Sequence, residues 1–201
     1  MAGRASMNSL PSWGSSLPDQ PSLFFPDNTV LNNFAIIHLM DELGALIAGR
    51  GCWCATVAGE CAKGANKPGL EDMAKAPGIF GDALYPVGAE YTDAQTIRER
   101  MLKPGDKETD HLGEAETIAI VSRRQLKGFF VTDDRDAARE AKGESIRVVT
   151  TWEILRLMVR GGRVTVTEFH AHAETLAKAR RGCPPGWPNR AAVELWLNAP
   201  H

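Results

Sequence analysis

Acidic side chains recur where predicted strands end and predicted helices begin, and they are the groups in this sequence best suited to chemistry. In an open α/β sheet, ligands bind just beyond the carboxyl ends of the strands, so acids at those ends can converge. Carboxylates that meet raise one another's pKa, and a divalent cation that neutralises them makes the arrangement stable. Oxygen ligands without histidine or thiolate favour Mg²⁺ or Mn²⁺. The carboxylates in question are Asp27, Glu60, Glu114, Glu116, Asp133 and Asp134.

Residues 112–141 show most clearly how such acids are positioned. An apolar run from Ile118 to Val121 predicts a helix that is buried on most sides, with the two glutamates near its start. After Gly128, the run 129–132 predicts a short buried strand, which ends at the two aspartates. A second helix begins there, and acids in a first turn complement the helix N-terminus.

The rest of the chain repeats this alternation. Apolar and β-branched stretches predict strands at 23–25, 52–57, 83–87, 129–132 and 146–149, with helical patterns between them. Alternation of this kind is typical of an α/β fold with a parallel sheet and helices on both faces. We found no internal repeat in the sequence, and 201 residues suffice for one domain with a sizeable core.

Composition divides the chain into three segments. Residues 1–21 are rich in Ser, Pro and Gly and are predicted to be a disordered N-terminal tail. Residues 22–182 are predicted to form the catalytic domain, and residues 183–201 a Pro-rich C-terminal extension with a short helix. The sequence has neither an apolar run of about 20 residues nor a signal-peptide pattern, so we expect no membrane segment and a cytoplasmic protein. Its four cysteines are expected to be buried, reduced thiols, because their spacing suits no zinc site.

Charge is close to balanced overall but differs between the halves. Net charge is −2; residues 1–100 carry 7 basic and 11 acidic side chains, and residues 101–201 carry 16 and 14. The basic side chains of the second half have two interpretations: solvated helix faces, or a rim that holds phosphates around an acidic centre.

Four acidic motifs in a fixed order resemble a known family. The motifs are Asp27-Asn-Thr-Val-Leu-x-x-Phe, then Glu60, then Gly113-Glu-Ala-Glu116-Thr-Ile-Ala, then Val131-Thr-Asp-Asp134 with Ala138-Arg139. In this order they resemble the PIN-domain ribonucleases, most closely the VapC-like toxin nucleases with a GEAE-type third motif. The resemblance covers roughly residues 23–179. It implies a PIN-like three-layer αβα sandwich with a central, mostly parallel sheet.

The resemblance also implies a ligand set for Mg²⁺ or Mn²⁺: Asp27, Glu60, Glu116 and Asp134. Two positions have a competitor. Glu116 is preferred over Glu114 because it directly precedes the apolar run, and Asp134 over Asp133 because of its spacing from Thr132. Asp133 is kept as an alternative ligand.

A metal-dependent endoribonuclease is the activity that the resemblance implies. Such enzymes hydrolyse RNA phosphodiesters to 5′-phosphate and 3′-hydroxyl products. The toxin branch implies a homodimer and a cognate antitoxin protein, as in type II toxin–antitoxin pairs. Thr29 or Thr132 is expected to orient the site, and Arg135, Arg139 or Arg156 to hold flanking phosphates.

Two other functions remain open. A Mg²⁺-dependent phosphatase or a receiver-like domain uses a similar sheet, but Asp27-Asn28-Thr29 lacks the second aspartate of the phosphatase motif, and a receiver has its acidic pair on the first strand. The other alternative is a catalytically inactive PIN-like module that binds RNA or protein.

Overall fold

A three-stranded parallel sheet lies at the centre of the computed structural model, which describes residues 22–200. The strands are β1 (Leu23–Pro26), β2 (Gly128–Val131) and β3 (Arg147–Val149), in the order β1-β2-β3. Pro26 is opposite Val131, and Val131 is opposite Val149, so all three strands end level with one another. The predicted tail, residues 1–21, lies outside the described residues.

Helices follow each strand and fill the connections. Within the described chain they are α1 (Asn28–Ile36), α2 (Met40–Ile47), α3 (Ala55–Gly64), a 3₁₀ helix (Glu71–Lys75), α4 (Ala76–Phe80), α5 (Ala89–Met101), α6 (Leu112–Arg123), α7 (Arg135–Gly143), α8 (Thr151–Arg160), α9 (Val166–Lys178) and α10 (Arg190–Asn198).

The sheet separates two apolar cores, because successive strand side chains point to opposite faces. Phe25 and Phe130 pack against α5, α6 and α7 on one face. Val131 and Val149 pack with α1, α2, α8, α9 and α10 on the other. Helix α6 contributes Ile118 to the first core and Ile120 to the second, so it is buried on most sides, as predicted. The α/β class is therefore confirmed, and the layering is that of an αβα sandwich.

Two of the predicted strands are wrong. In place of strands at 52–57 and 83–87, the chain forms isolated parallel bridges that pair Gly51 with Phe24 and Leu84 with Cys54. Helix α3 begins at Ala55, directly after the bridge at Cys54. Alanines at 55, 58 and 62 favour a helix there, and this preference outweighs the β-branched residues that suggested a strand.

The C-terminal segment packs onto the domain through α10. Val193 and Leu197 are buried in the larger core. Arg156 is also buried, and its Nε donates to the Leu197 carbonyl at 3.2 Å while its guanidinium lies over the Trp196 ring. The prediction that Arg156 holds substrate phosphates is therefore wrong, because its side chain is used to dock α10.

Two further expectations concern cysteines and the membrane. All four cysteines are free, as predicted; Cys54 and Cys61 are buried, but Cys52 is only half-buried and Cys183 is exposed, so their predicted burial is wrong. Among residues 22–200, no helix combines the length and the apolar character that crossing a bilayer requires.

Candidate metal centre

A cavity of about 380 Å³ opens at the carboxyl ends of the strands, where ligands bind in folds of this class. Its wall contains five carboxylates that come from four separate segments of the chain. The complete lining is Asp27, Asn28, Thr29, Glu60, Thr109, Asp110, His111, Glu114 and Asp134.

Asp27 lies at the base of this cavity, between β1 and α1. Its backbone N–H donates to the Val131 carbonyl at 2.9 Å, which fixes it beside the end of β2. The side chain is only 3% exposed, and its Oδ2 is buried without a hydrogen-bond partner. A buried polar atom without a partner is costly, so in a native structure it calls for an explanation such as an ion.

Asp134 enters the cavity from the end of β2, as the N-cap of α7. Its Oδ1 accepts a hydrogen bond from Ala137 N at 2.8 Å, and its own N–H donates to Thr132 Oγ1 at 3.1 Å. Thr132 therefore supports Asp134, whereas the predicted role of Thr29 or Thr132 is to orient Asp27 or the metal-bound water. The cap fixes the carboxylate at the cavity wall.

Glu60 and Glu114 are brought together by the close approach of α3 and α6. A Cβ atom added to Gly113 would lie 2.9 Å from Val57 Cγ2 and 3.8 Å from Glu60 Oε2. Only glycine allows this contact between the helices. Glu114 follows directly and lines the cavity with Glu60.

The structure places Glu114, and not the preferred Glu116, on the cavity wall. Glu116 accepts a hydrogen bond from Thr56 N at 3.3 Å, at the positive end of α3. Residues two apart on a helix point about 200° from each other, so the two glutamates cannot both face the cavity. The apolar run does not indicate which glutamate lines the cavity, because α6 is buried on most sides and its buried residues do not mark one face.

Asp133 belongs to a different polar group, and both of its oxygens are used there. Oδ1 accepts from Thr151 N at 2.9 Å, while Oδ2 accepts from Thr151 Oγ1 at 2.6 Å and from Asn33 Nδ2 at 2.9 Å. Its expected role as an alternative ligand does not fit this arrangement. Of the two adjacent aspartates, only Asp134 lines the cavity, in agreement with the spacing argument.

The loop between α5 and α6 supplies three wall residues that the sequence did not indicate. Thr109 and Asp110 lie in a stretch that resembles an ordinary charged surface loop. His111 adopts a left-handed conformation (φ 62°) and precedes α6. Its Nδ1 is buried without a hydrogen bond, 3.9 Å from Glu114 Oε1. His111 could have been recognised as a candidate wall residue only if the start of α6 had been predicted correctly, because it directly precedes that helix.

Electrostatics in the cavity favour protonated acids. The pKa of Asp27 is raised from 3.8 to about 7, by burial first and then by the charge of Glu114, while the polar groups of Thr29 and Asn28 lower it in part. The pKa of Glu114 is also raised to about 7, by burial first and then by the charges of Glu60, Asp134 and Asp110. Burial and the charge of Asp27 raise the pKa of Glu60. A cation in this cavity would reverse each of these shifts.

The donor set fits a hard divalent cation such as Mg²⁺ or Mn²⁺. Most of its donors are carboxylate oxygens, one of which lacks any partner, and His111 adds a ring nitrogen that also has no hydrogen bond. Within residues 22–200, however, no three His, Cys, Asp or Glu side chains stand close enough together to hold a metal ion. The repulsion that raises the pKa values also favours separation of these carboxylates, so an ion would have to draw them together.

Comparison with known proteins adds no family assignment. No family model matches this sequence, and no curated protein sequence matches it. The resemblance to PIN-domain ribonucleases therefore remains a prediction that depends on the four acidic motifs.

Proposed function

We propose that this protein is a Mg²⁺- or Mn²⁺-dependent endoribonuclease. The observation that carries the proposal is the unpartnered, buried Asp27 Oδ2 in a cavity with four further carboxylates. Carboxylates collected at the ends of parallel strands, with oxygen as their only donor atom, suit a divalent cation better than any other ligand. The order of the acidic motifs supplies the expectation that the substrate is RNA.

Four carboxylates would hold the ion: Asp27, Glu60, Glu114 and Asp134. When bound, a divalent ion supplies charge neutralisation at the phosphate and a lowered pKa for the attacking water. Two of these residues are fixed by hydrogen bonds within the chain: the backbone N–H of Asp27 donates to the Val131 carbonyl, and Ala137 N donates to the Asp134 carboxylate.

Basic side chains near the cavity suit a polyanionic substrate. Lys63 is exposed one helical turn after Glu60, and its charge lowers the pKa of that glutamate. Arg135 is exposed and directly follows Asp134. Arg139 is less suited to this role than expected, because it is paired with Asp136 and Glu140. The rim that we propose therefore consists of Lys63 and Arg135.

The narrower assignment rests on the resemblance alone. It comprises a cytoplasmic toxin of a type II toxin–antitoxin pair, a cognate antitoxin and a homodimer. These elements are part of the proposal and depend on the same four motifs.

Metal binding and RNA cleavage together test the proposal. Millimolar Mn²⁺ is expected to raise the melting temperature of the wild-type protein and to allow cleavage of single-stranded RNA, and EDTA should abolish both effects. Asp27→Asn should lower the cleavage rate by about a thousandfold or more and remove the Mn²⁺-dependent shift. Asp41→Asn is the matched control, because Asp41 is exposed on α2 and away from the cavity lining. Wild-type cleavage by the Asp27→Asn variant would refute the proposal.

A second candidate function is an inactive PIN-like module that binds RNA or protein without cutting it. The observation that favours it is the separation of the acids, since no three ligand-type side chains in the described chain are assembled for a metal. Melting temperatures measured with increasing Mn²⁺ separate the two functions. If 10 mM Mn²⁺ leaves the melting temperature unchanged while RNA still binds, the second candidate stands.

A further inference from the structure

A buried polar network lies directly behind the cavity, and Arg181 provides its positive charge. Arg181 Nε donates to Asn33 Oδ1 at 2.7 Å, and Arg181 Nη2 donates to the Thr29 carbonyl at 3.0 Å. Asn33 is fully buried and links Arg181 to Asp133. Its Nδ2 donates to Asp133 Oδ2 at 2.9 Å and to Thr151 Oγ1 at 3.0 Å. Asp133 then accepts two hydrogen bonds from Thr151, as described above.

This network connects the two chain segments that carry Asp27 and Asp134. Thr29 lies in the first turn of α1, two residues after Asp27, and itself lines the cavity. Asp133 immediately precedes Asp134, so anchoring the first aspartate fixes where the second one projects. Arg181 thus contacts one segment directly and the other through Asn33, from a position about 150 residues away in the sequence.

The end of α9 directs Arg181 towards this position. Arg180 adopts a left-handed conformation (φ 57°), which reverses the chain after the helix. The N–H of Arg181 then bonds to the Leu176 carbonyl at 2.9 Å, as at many helix C-termini. Arg180 itself is exposed. Two adjacent arginines therefore have different environments, which provides a matched pair for experiment.

We propose that Arg181 is a positioning residue that sets the separation of Asp27 and Asp134 through the Thr29 carbonyl and the Asn33–Asp133 hydrogen bonds. The claim deepens the proposed function and rests on it, since it concerns the same metal centre. Arg181 touches neither the substrate nor the ion. Its guanidinium makes two bonds from two nitrogens in a fixed plane, a geometry that lysine cannot reproduce. Partners that orient metal ligands in this way typically contribute about 10–100-fold to metal affinity.

The first experiment measures Mn²⁺ affinity by electron paramagnetic resonance, on folded full-length protein. Arg181→Met is expected to raise the Mn²⁺ dissociation constant about tenfold or more, and Arg181→Lys by an intermediate factor. Arg180→Met, the control that removes a neighbouring exposed charge, should stay within about twofold. In a double-mutant cycle, the loss of Mn²⁺ binding free energy in the Asp133→Asn/Arg181→Met variant should be much smaller than the sum of the losses in the two single variants. Both residues act through one network, so their effects are not additive.

The second experiment needs no metal. In metal-free protein, Arg181→Lys is expected to shift the backbone amide resonances of Thr29 and Asp134 in ¹⁵N–¹H spectra, whereas Arg180→Met should leave both in place. This measurement separates the positioning role of Arg181 from the proposed metal binding. It reports on the positions of the segments that carry Thr29 and Asp134 even if the wild-type protein binds no Mn²⁺. If Arg181→Met fails to fold, Arg181→Lys decides alone.

Two results would overturn the inference. One is an Arg181→Lys variant with wild-type Mn²⁺ affinity and unshifted Thr29 and Asp134 resonances. The other is an Arg181→Met variant that loses thermal stability but binds Mn²⁺ as tightly as the wild type, which would make Arg181 a structural residue only. Failure of the wild type to bind Mn²⁺, with the amide shifts still present, would refute the metal centre and leave the positioning role intact.

Discussion

Asp133 and Asp134 are neighbours in the sequence, but they belong to two polar regions of opposite character. Asp133 accepts three hydrogen bonds from Thr151 and Asn33, in a network that also contains an arginine. Asp134 faces a cavity in which the pKa values of Asp27, Glu60 and Glu114 are raised and the Asp27 Oδ2 has no partner. In the first region the carboxylate oxygens are hydrogen-bonded within the protein, and in the second region some carboxylate oxygens have no partner and could bind a ligand. This difference indicates which carboxylates maintain the fold and which could bind a ligand.

The largest expected effect separates the two glutamates of α6. Glu114→Gln should lower metal-dependent RNA cleavage by about a thousandfold, because it removes a carboxylate from the cavity wall. Glu116→Gln should change the rate by less than about fivefold, since Glu116 accepts the N–H of Thr56 at the start of α3 and is not part of the cavity lining. Initial cleavage rates at saturating Mg²⁺ measure both. The reverse order of effects would restore Glu116 as the ligand.

The two adjacent aspartates are expected to differ in stability. Asp133→Ala leaves the buried donors of Asn33 and Thr151 without an acceptor and should lower the free energy of unfolding by about 2–4 kcal/mol. Asp134→Ala removes the α7 cap, at a cost of about 1 kcal/mol, and also relieves repulsion with Glu114. Urea denaturation in EDTA measures both. Equal losses would mean that the two regions do not differ as described.

The stability of the metal-free protein should depend on pH with a defined sign. Asp27 has a folded-state pKa of about 7 against an ordinary value of 3.8, so between these values the folded state binds more protons than the unfolded state. The free energy of unfolding therefore falls as pH rises from about 4 to about 7, by about 1–3 kcal/mol, and then levels off. Denaturation in EDTA at a series of pH values measures this slope. Asp27→Asn should reduce the slope and leave the part due to Glu114, whose pKa is also raised to about 7, and an unchanged slope would contradict the assignment.

The smallest expected effect concerns the rim. Lys63→Gln should weaken RNA binding by about two- to fivefold and reduce its salt dependence, because one phosphate contact is lost. Lys142→Gln makes the same charge change at the last turn of α7, about 12 Å along that helix from Asp134, and should have no effect. Fluorescence anisotropy with the cleavage-deficient Asp27→Asn variant measures both. Equal weakening by the two substitutions would indicate non-specific attraction.

Local patterns in the sequence predicted the parts of the structure that depend on local physics. The strand predicted at 129–132 is found at 128–131, and the helix predicted after the two aspartates begins at Arg135. The convergence of Asp27, Glu60 and Asp134 on one cavity also agrees with the rule that ligands bind at the carboxyl ends of parallel strands.

Three features of the structure could not be predicted from the sequence because they depend on tertiary contacts. The choice of Glu114 follows from where α6 starts and from the contact of Gly113 with Val57. The sequence around Arg156 resembles an exposed helix face, but α10 covers its side chain and accepts its hydrogen bond at Leu197. Arg181 lies about 150 residues from its partners, Thr29 and Asn33, and no local pattern marks it.

The narrowness of the sheet has a consequence for self-association. Beyond β1, Phe24 exchanges backbone hydrogen bonds with Arg50 and Cys52, so that border is occupied by the chain itself. The other border is β3, only three residues long and beginning with the exposed Arg147. A short, charged border strand is a poor template for adding a strand from a second molecule. The fold thus resists fibril-like association without a dedicated protective element.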